Sequence, residues 1–125
     1  MNLLESGEMY LETIYVLSLK SPCVRGIDVS NYRGYSKPSV SRAMSLLRDG
    51  GYIDVDENGY ITLTAAGREI AETIYERHTV LTEILIGLGV DADVAAEDAC
   101  RMEHYISDTS FQAFKRHFSE KESTG

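Results

Sequence analysis

Cys100-Arg101-Met102-Glu103-His104 is the stretch of this 125-residue chain with the most chemistry in it. Cys100, Glu103 and His104 stand at i, i+3 and i+4, so a helix puts all three on one face. A thiolate, a carboxylate and an imidazole that converge make a transition-metal site. Taken alone, a buried cysteine beside a surface Glu–His pair explains the triplet at least as well. Met9 and Glu12, one helical turn apart, are a second candidate pair, although a methionine is usually core and a glutamate usually solvated. His78 lies mid-helix, where a histidine is more often a surface residue than a ligand.

A second constellation is basic. The chain carries a net charge of −8, yet residues 22–48 hold Arg25, Arg33, Lys37, Arg42 and Arg48 against Asp28 alone. Binding phosphate needs local positive charge and not a basic protein. Ser36, Lys37, Pro38, Ser39, Ser41 and Arg42 crowd the start of one predicted helix. Hydroxyls and a helix N-terminus suit phosphate, and Lys and Arg reach phosphate or guanine edges. Arg25 and Tyr60 are further candidate contacts to DNA. A capped, solvated helix in some other kind of domain is the competing explanation.

These residues need elements to position them. Apolar spacing predicts a helix over 5–20 with Tyr10, Ile14 and Leu17 inward, Ser6 as its cap, and Ser21-Pro22 as its end. A short helix over 25–32, a turn around Gly34 and a helix from Ser36 to Gly50-Gly51 follow. Ser36 is the predicted cap and Pro38 sits in the first turn. Residues 52–55 and 60–63 alternate as strands around Asn58-Gly59, a hairpin signal. Helix, turn, helix, hairpin is the plan of a winged helix-turn-helix. A long helix from Thr64 to Gly87, another over 91–106 and a last one over 109–118 complete a mainly α chain, with the polar tail expected to fray. The expected domains are 1–63 and 64–125. Phe111, Phe114 and Phe118 suit either a dimer surface or an intrachain core.

Five stretches, in order along nearly the whole chain, resemble the diphtheria toxin repressor / manganese transport regulator family. They are residues 8–15 (EMYLETIY), Lys37-Pro38-Ser39-Val40-Ser41, Leu63-Thr64 with Gly67, Arg77-His78, and residues 98–104 (DACRMEH). The resemblance implies an N-terminal winged helix-turn-helix and a helical dimerisation and metal-binding domain, in the short two-domain form. Ferrous-type members use Met, Cys, Glu and His where this chain has Met9, Cys100, Glu103 and His104. Manganese-type members have Asp and Glu at the first two of these positions. Thioether and thiolate favour Fe²⁺, Co²⁺, Ni²⁺ or Zn²⁺, whereas hard oxygen ligands suit Mn²⁺. A second ion held by Glu12, His78 and Glu103, with or without Cys100, is also implied. There the chain departs from the ferrous pattern: Thr82 replaces a Glu and Ala96 replaces a His.

The resemblance therefore implies a metal-dependent repressor of metal-homeostasis genes, responsive to Fe²⁺ or alternatively to Mn²⁺. It would bind double-stranded, palindromic operator DNA as a homodimer. Its ligands, drawn from both domains, would let a metal ion fix the spacing of the two recognition helices. A redox sensor acting through Cys100 is the alternative of another class. An enzyme is not expected, because no substrate pocket or general base is apparent; nor is a small organic substrate. No apolar run is long enough to cross a membrane, and no secretory signal is seen. With two cysteines and no disulfide framework, the expected compartment is the cytoplasm.

Overall fold

The computed structural model describes residues 5–124, with side chains up to Ser119. Its elements are α1 (Glu5–Lys20), α2 (Gly26–Arg33), α3 (Lys37–Asp49), β1 (Ile53–Val55), β2 (Ile61–Leu63), α4 (Ala65–Gly87), α5 (Ala92–Met102) and α6 (Asp108–Thr124). They form two compact units, one ending at Thr73 and the other starting at Ile74, so α4 contributes to both. The architecture is mainly α with a single two-stranded sheet among the described residues.

The first unit is a winged helix-turn-helix. Val40, Met44 and Leu47 recur at i, i+4 and i+7 on α3 and meet Leu11 and Ile14 of α1, Val29 of α2, and Ile53 and Ile61 of the hairpin in one core. Helix α1 is buried without interruption from Tyr10 to Ile14, including Glu12 and Thr13. It is thus wrapped more completely than a one-sided amphipathic helix. Ser6 lies inside α1 rather than capping it. Gly34 ends α2 in the left-handed region (φ 74°), where a side chain would be strained. Two residues later Ser36 caps α3, accepting from the Ser39 N–H at 3.3 Å. The strands pair antiparallel with Ile53 opposite Leu63 and Val55 opposite Ile61. Asp56 Oδ1 accepts from the N–H groups of Asn58 and Tyr60 and so shapes the link between them. The Ile61 N–H bonds the Val24 carbonyl at 2.7 Å, tying the wing to the start of α2.

In the second unit Leu81, Ala99 and Phe111 form the buried centre, with Val80, Met102 and Ile106 packed around it. Asp91 caps α5 as its sequence suggests. Helix α5 stops at Met102, four residues before the predicted end, and residues 103–106 form a turn. The Tyr105 and Ile106 N–H groups both fold back onto the Met102 carbonyl. Ser107 restarts the chain as a cap, with the Ser110 N–H donating to its hydroxyl at 3.1 Å. Helix α6 then runs to Thr124, beyond the expected end at 118 and through the tail expected to fray.

Candidate metal centre and nucleic-acid interface

In the second unit, α4 presents His78 and the end of α5 presents Glu103 and His104. Glu103 is completely buried and the His104 side chain is 1% exposed. His78 Nδ1 lies 2.9 Å from Glu103 Oε2, and His104 Nε2 lies 3.3 Å from Oε1. Although α5 has ended, the Glu103 N–H still bonds the Ala99 carbonyl at 2.9 Å. Glu103 therefore keeps the register that the i, i+3 spacing from Cys100 requires. Cys100 is half-buried on the last turn of α5.

An ionised carboxylate out of water costs several kcal/mol unless a positive charge compensates it. Oε1 of Glu103 is buried and receives no hydrogen bond. A divalent cation would supply a compensating charge and a partner for that oxygen. The donor set of one carboxylate and two imidazoles fits a transition ion, so these residues suit the metal that the resemblance implies. Thr82, which stands where the ferrous pattern has a Glu, donates its hydroxyl to the His78 carbonyl at 2.6 Å. Ala96 has only a methyl group to offer.

Arg77 is a residue that sequence reasoning left without a role. Its Nη1 donates to the carbonyls of Glu103 (3.2 Å) and Ile106 (3.0 Å), and its guanidinium lies over the Phe111 ring. Both carbonyls lie between α5 and α6, outside either helix. Arg77 thereby pins the turn carrying Glu103 and His104. The one available signal was its adjacency to His78.

In the first unit, Met9 and Glu12 sit one turn apart on α1. The Tyr35 hydroxyl donates to Met9 Sδ at 3.2 Å. Arg33 Nη2 lies 3.5 Å from Glu12 Oε1, while Arg33 Nε donates to the Thr13 hydroxyl at 2.7 Å. Tyr10 packs edge-on against Tyr35, and burial together with the neighbouring phenol raises its pKa above the ordinary value, keeping it neutral.

The same unit exposes Ser36, Lys37, Pro38, Ser39, Ser41 and Arg42 along the start of α3. A groove of about 500 Å³ runs between α3 and the hairpin, lined in part by Lys37, Ser41, Ser45, Arg48 and Gly59. Ser45 and Arg48 continue Ser41 at i+4 and i+7, a period that could have added them to the candidate contacts. The Arg25 guanidinium lies 4.6 Å over the Tyr60 ring, joining the start of α2 to the wing.

Residues 2–61 match the family model of the iron dependent repressor N-terminal DNA binding domain, and residues 64–122 match that of its metal binding and dimerisation domain. The chain belongs to the diphtheria toxin repressor / manganese transport regulator family. It is 33% identical to the transcriptional regulator MntR of Escherichia coli O6:H1 over 112 residues, 90% of this chain and 72% of the relative. It is 28% identical to the diphtheria toxin repressor of Corynebacterium diphtheriae over 86% of this chain and 48% of that protein. The solved manganese regulator SloR superposes with a TM-score of 0.81 at 25% identity, over 90% of this chain and 53% of SloR. The chain thus spans about half the length of SloR and of the diphtheria toxin repressor. Members of this family are metal-dependent transcriptional regulators and not enzymes. No described helix is long and apolar enough to cross a membrane.

Proposed function

We propose that this protein is an Fe²⁺-responsive repressor that binds a palindromic operator as a homodimer. The observation carrying the metal half is the buried Glu103 carboxylate, with His78 Nδ1 2.9 Å from one oxygen and His104 Nε2 3.3 Å from the other. In this reading Met9, Glu12, His78, Cys100, Glu103 and His104 are the ligands. Sulfur at Met9 and Cys100 favours Fe²⁺ over Mn²⁺. The DNA half rests on the exposed Ser36–Arg42 surface and the groove beside it, with Arg25 and Tyr60 at the wing. Two such surfaces in a dimer would read half-sites one DNA turn, or a multiple, apart.

Metal occupancy favours the DNA-competent state by its differential affinity. At 100 times its Kd, an ion supplies about 2.7 kcal/mol, or roughly 100-fold in operator affinity if it binds only that state. The test is an anaerobic operator-shift assay with Fe²⁺, Co²⁺, Mn²⁺ and Zn²⁺. Fe²⁺ and Co²⁺ are expected to tighten operator binding about 10- to 100-fold, with Mn²⁺ weaker. Operator affinity indifferent to every ion would refute the proposal. Buried Glu12, a hard oxygen donor, favours a second reading in which Mn²⁺ is the activator; Mn²⁺ outperforming Fe²⁺ in that assay would select it.

A further inference from the structure

Both candidate ligands of α1 are held by the turn of the helix-turn-helix. Tyr35 donates its hydroxyl to the Met9 sulfur, and the Arg33 guanidinium sits on the Glu12 carboxylate. Arg33 and Tyr35 flank Gly34, the left-handed residue that ends α2, and Ser36 immediately after them caps α3. The turn is stiff: the Gly34 and Tyr35 N–H groups both bond the Ser30 carbonyl, and the Ser30 hydroxyl donates to the Tyr35 carbonyl. A displacement of Tyr35 therefore passes to the cap of the operator-reading helix one residue away.

We infer that Arg33 and Tyr35 are positioning residues that latch this turn to α1 in the metal-free protein and are loosened when a divalent ion takes the Met9 sulfur and the Glu12 carboxylate. The inference rests on the metal reading above. Its physical basis is competition for electron density. A thioether that donates to a cation is a poorer acceptor for a phenol hydroxyl. A carboxylate neutralised by a cation attracts a guanidinium less. Both contacts are thus stronger without metal than with it, and by linkage each opposes metal binding. Two contacts from neighbouring positions onto the two α1 ligand candidates make the turn a sensor of their occupancy.

Tyr35→Phe keeps the ring and removes only the hydroxyl that reaches the sulfur. The Co²⁺ affinity of the DNA-free protein, followed by absorption, is expected to tighten about 3- to 10-fold, the value of one hydrogen bond. Operator affinity without metal should tighten by a similar factor, while operator affinity at saturating Co²⁺ stays that of the parent. The metal-dependent gain in DNA binding therefore shrinks. Arg33→Gln is expected to act in the same direction, with Arg33→Lys restoring much of the parent's behaviour. A purely structural role would lower the melting temperature without moving Co²⁺ affinity. Co²⁺ affinity and metal-free operator affinity of Tyr35→Phe within twofold of the parent, or weaker, would overturn the latch. A parent that binds Co²⁺ with no change in operator affinity, or binds no Co²⁺, overturns the metal reading itself and the latch with it.

Discussion

Glu103→Gln keeps the shape of the side chain and removes its charge, so it separates a ligand from a structural acid. Co²⁺ affinity is expected to fall by at least about 10-fold, since even supporting residues of metal sites are worth that much. Metal-free stability should stay level or rise, because a buried charge without full compensation is gone. Calorimetric titration and thermal melting together make the check; Co²⁺ affinity within twofold of the parent would remove Glu103 from the ligand set. At this scale the spacing put Glu103 in phase with Cys100, and the Glu103 N–H bond to the Ala99 carbonyl keeps that phase one residue past the end of α5. Arg77, Arg33 and Tyr35 were not legible as partners of candidate ligands. Each acts on a residue about 20 or more positions away, and no local period encodes such a pairing.

The elements that hold the site depend on close backbone approaches as well as on apolar spacing. The carbonyl oxygen of Tyr52 would lie only 2.0 Å from a Cβ at Gly67. That carbonyl accepts the Thr64 N–H, and the Thr64 hydroxyl accepts from the Gly67 N–H and donates to the Gly51 carbonyl. The wing and the start of α4 are therefore locked together through Gly67. Gly67→Ala should destabilise the first unit by about 1–3 kcal/mol, the usual cost of overpacking, because a carbonyl cannot swing aside as a side chain can. Urea denaturation followed by far-ultraviolet circular dichroism reads the loss; an unchanged midpoint would show that the approach can relax. Helix caps at Ser36 and Asp91 and the breaks at Gly34 and Gly50-Gly51 were readable from residue type. The early stop of α5 was not, because Glu103-His104-Tyr105-Ile106 contains no helix breaker. The turn there is stabilised from outside the segment by the Arg77 guanidinium.

At the scale of the whole molecule, two phenylalanines of α6 take different places. Phe111, expected on either a dimer surface or a core, is 1% exposed and belongs to the core of its own chain. Phe114, three residues on, is 46% exposed on α6. Phe114→Asp is accordingly expected to leave the fold intact and to shift the protein toward monomer in sedimentation velocity, with operator affinity falling along with it. A variant that remains fully dimeric would place the interface elsewhere. Phe111 and Phe114 are indistinguishable in composition and nearly so in helical phase, so only packing could assign them different duties.

By itself the sequence determined the order of elements, the helix-turn-helix and its exposed, hydroxyl-rich basic helix, and the residue types from which a metal site can be built. These follow from local rules: apolar period, capping, turn chemistry and the chemistry of the side chains. Tertiary structure alone decided that Glu103 is sealed from water between two imidazoles, that Arg77 supports the turn bearing it, and that Tyr35 and Arg33 rest on Met9 and Glu12. Burial and long-range hydrogen bonds depend on which segments meet in space, and a one-dimensional pattern carries no term for that meeting.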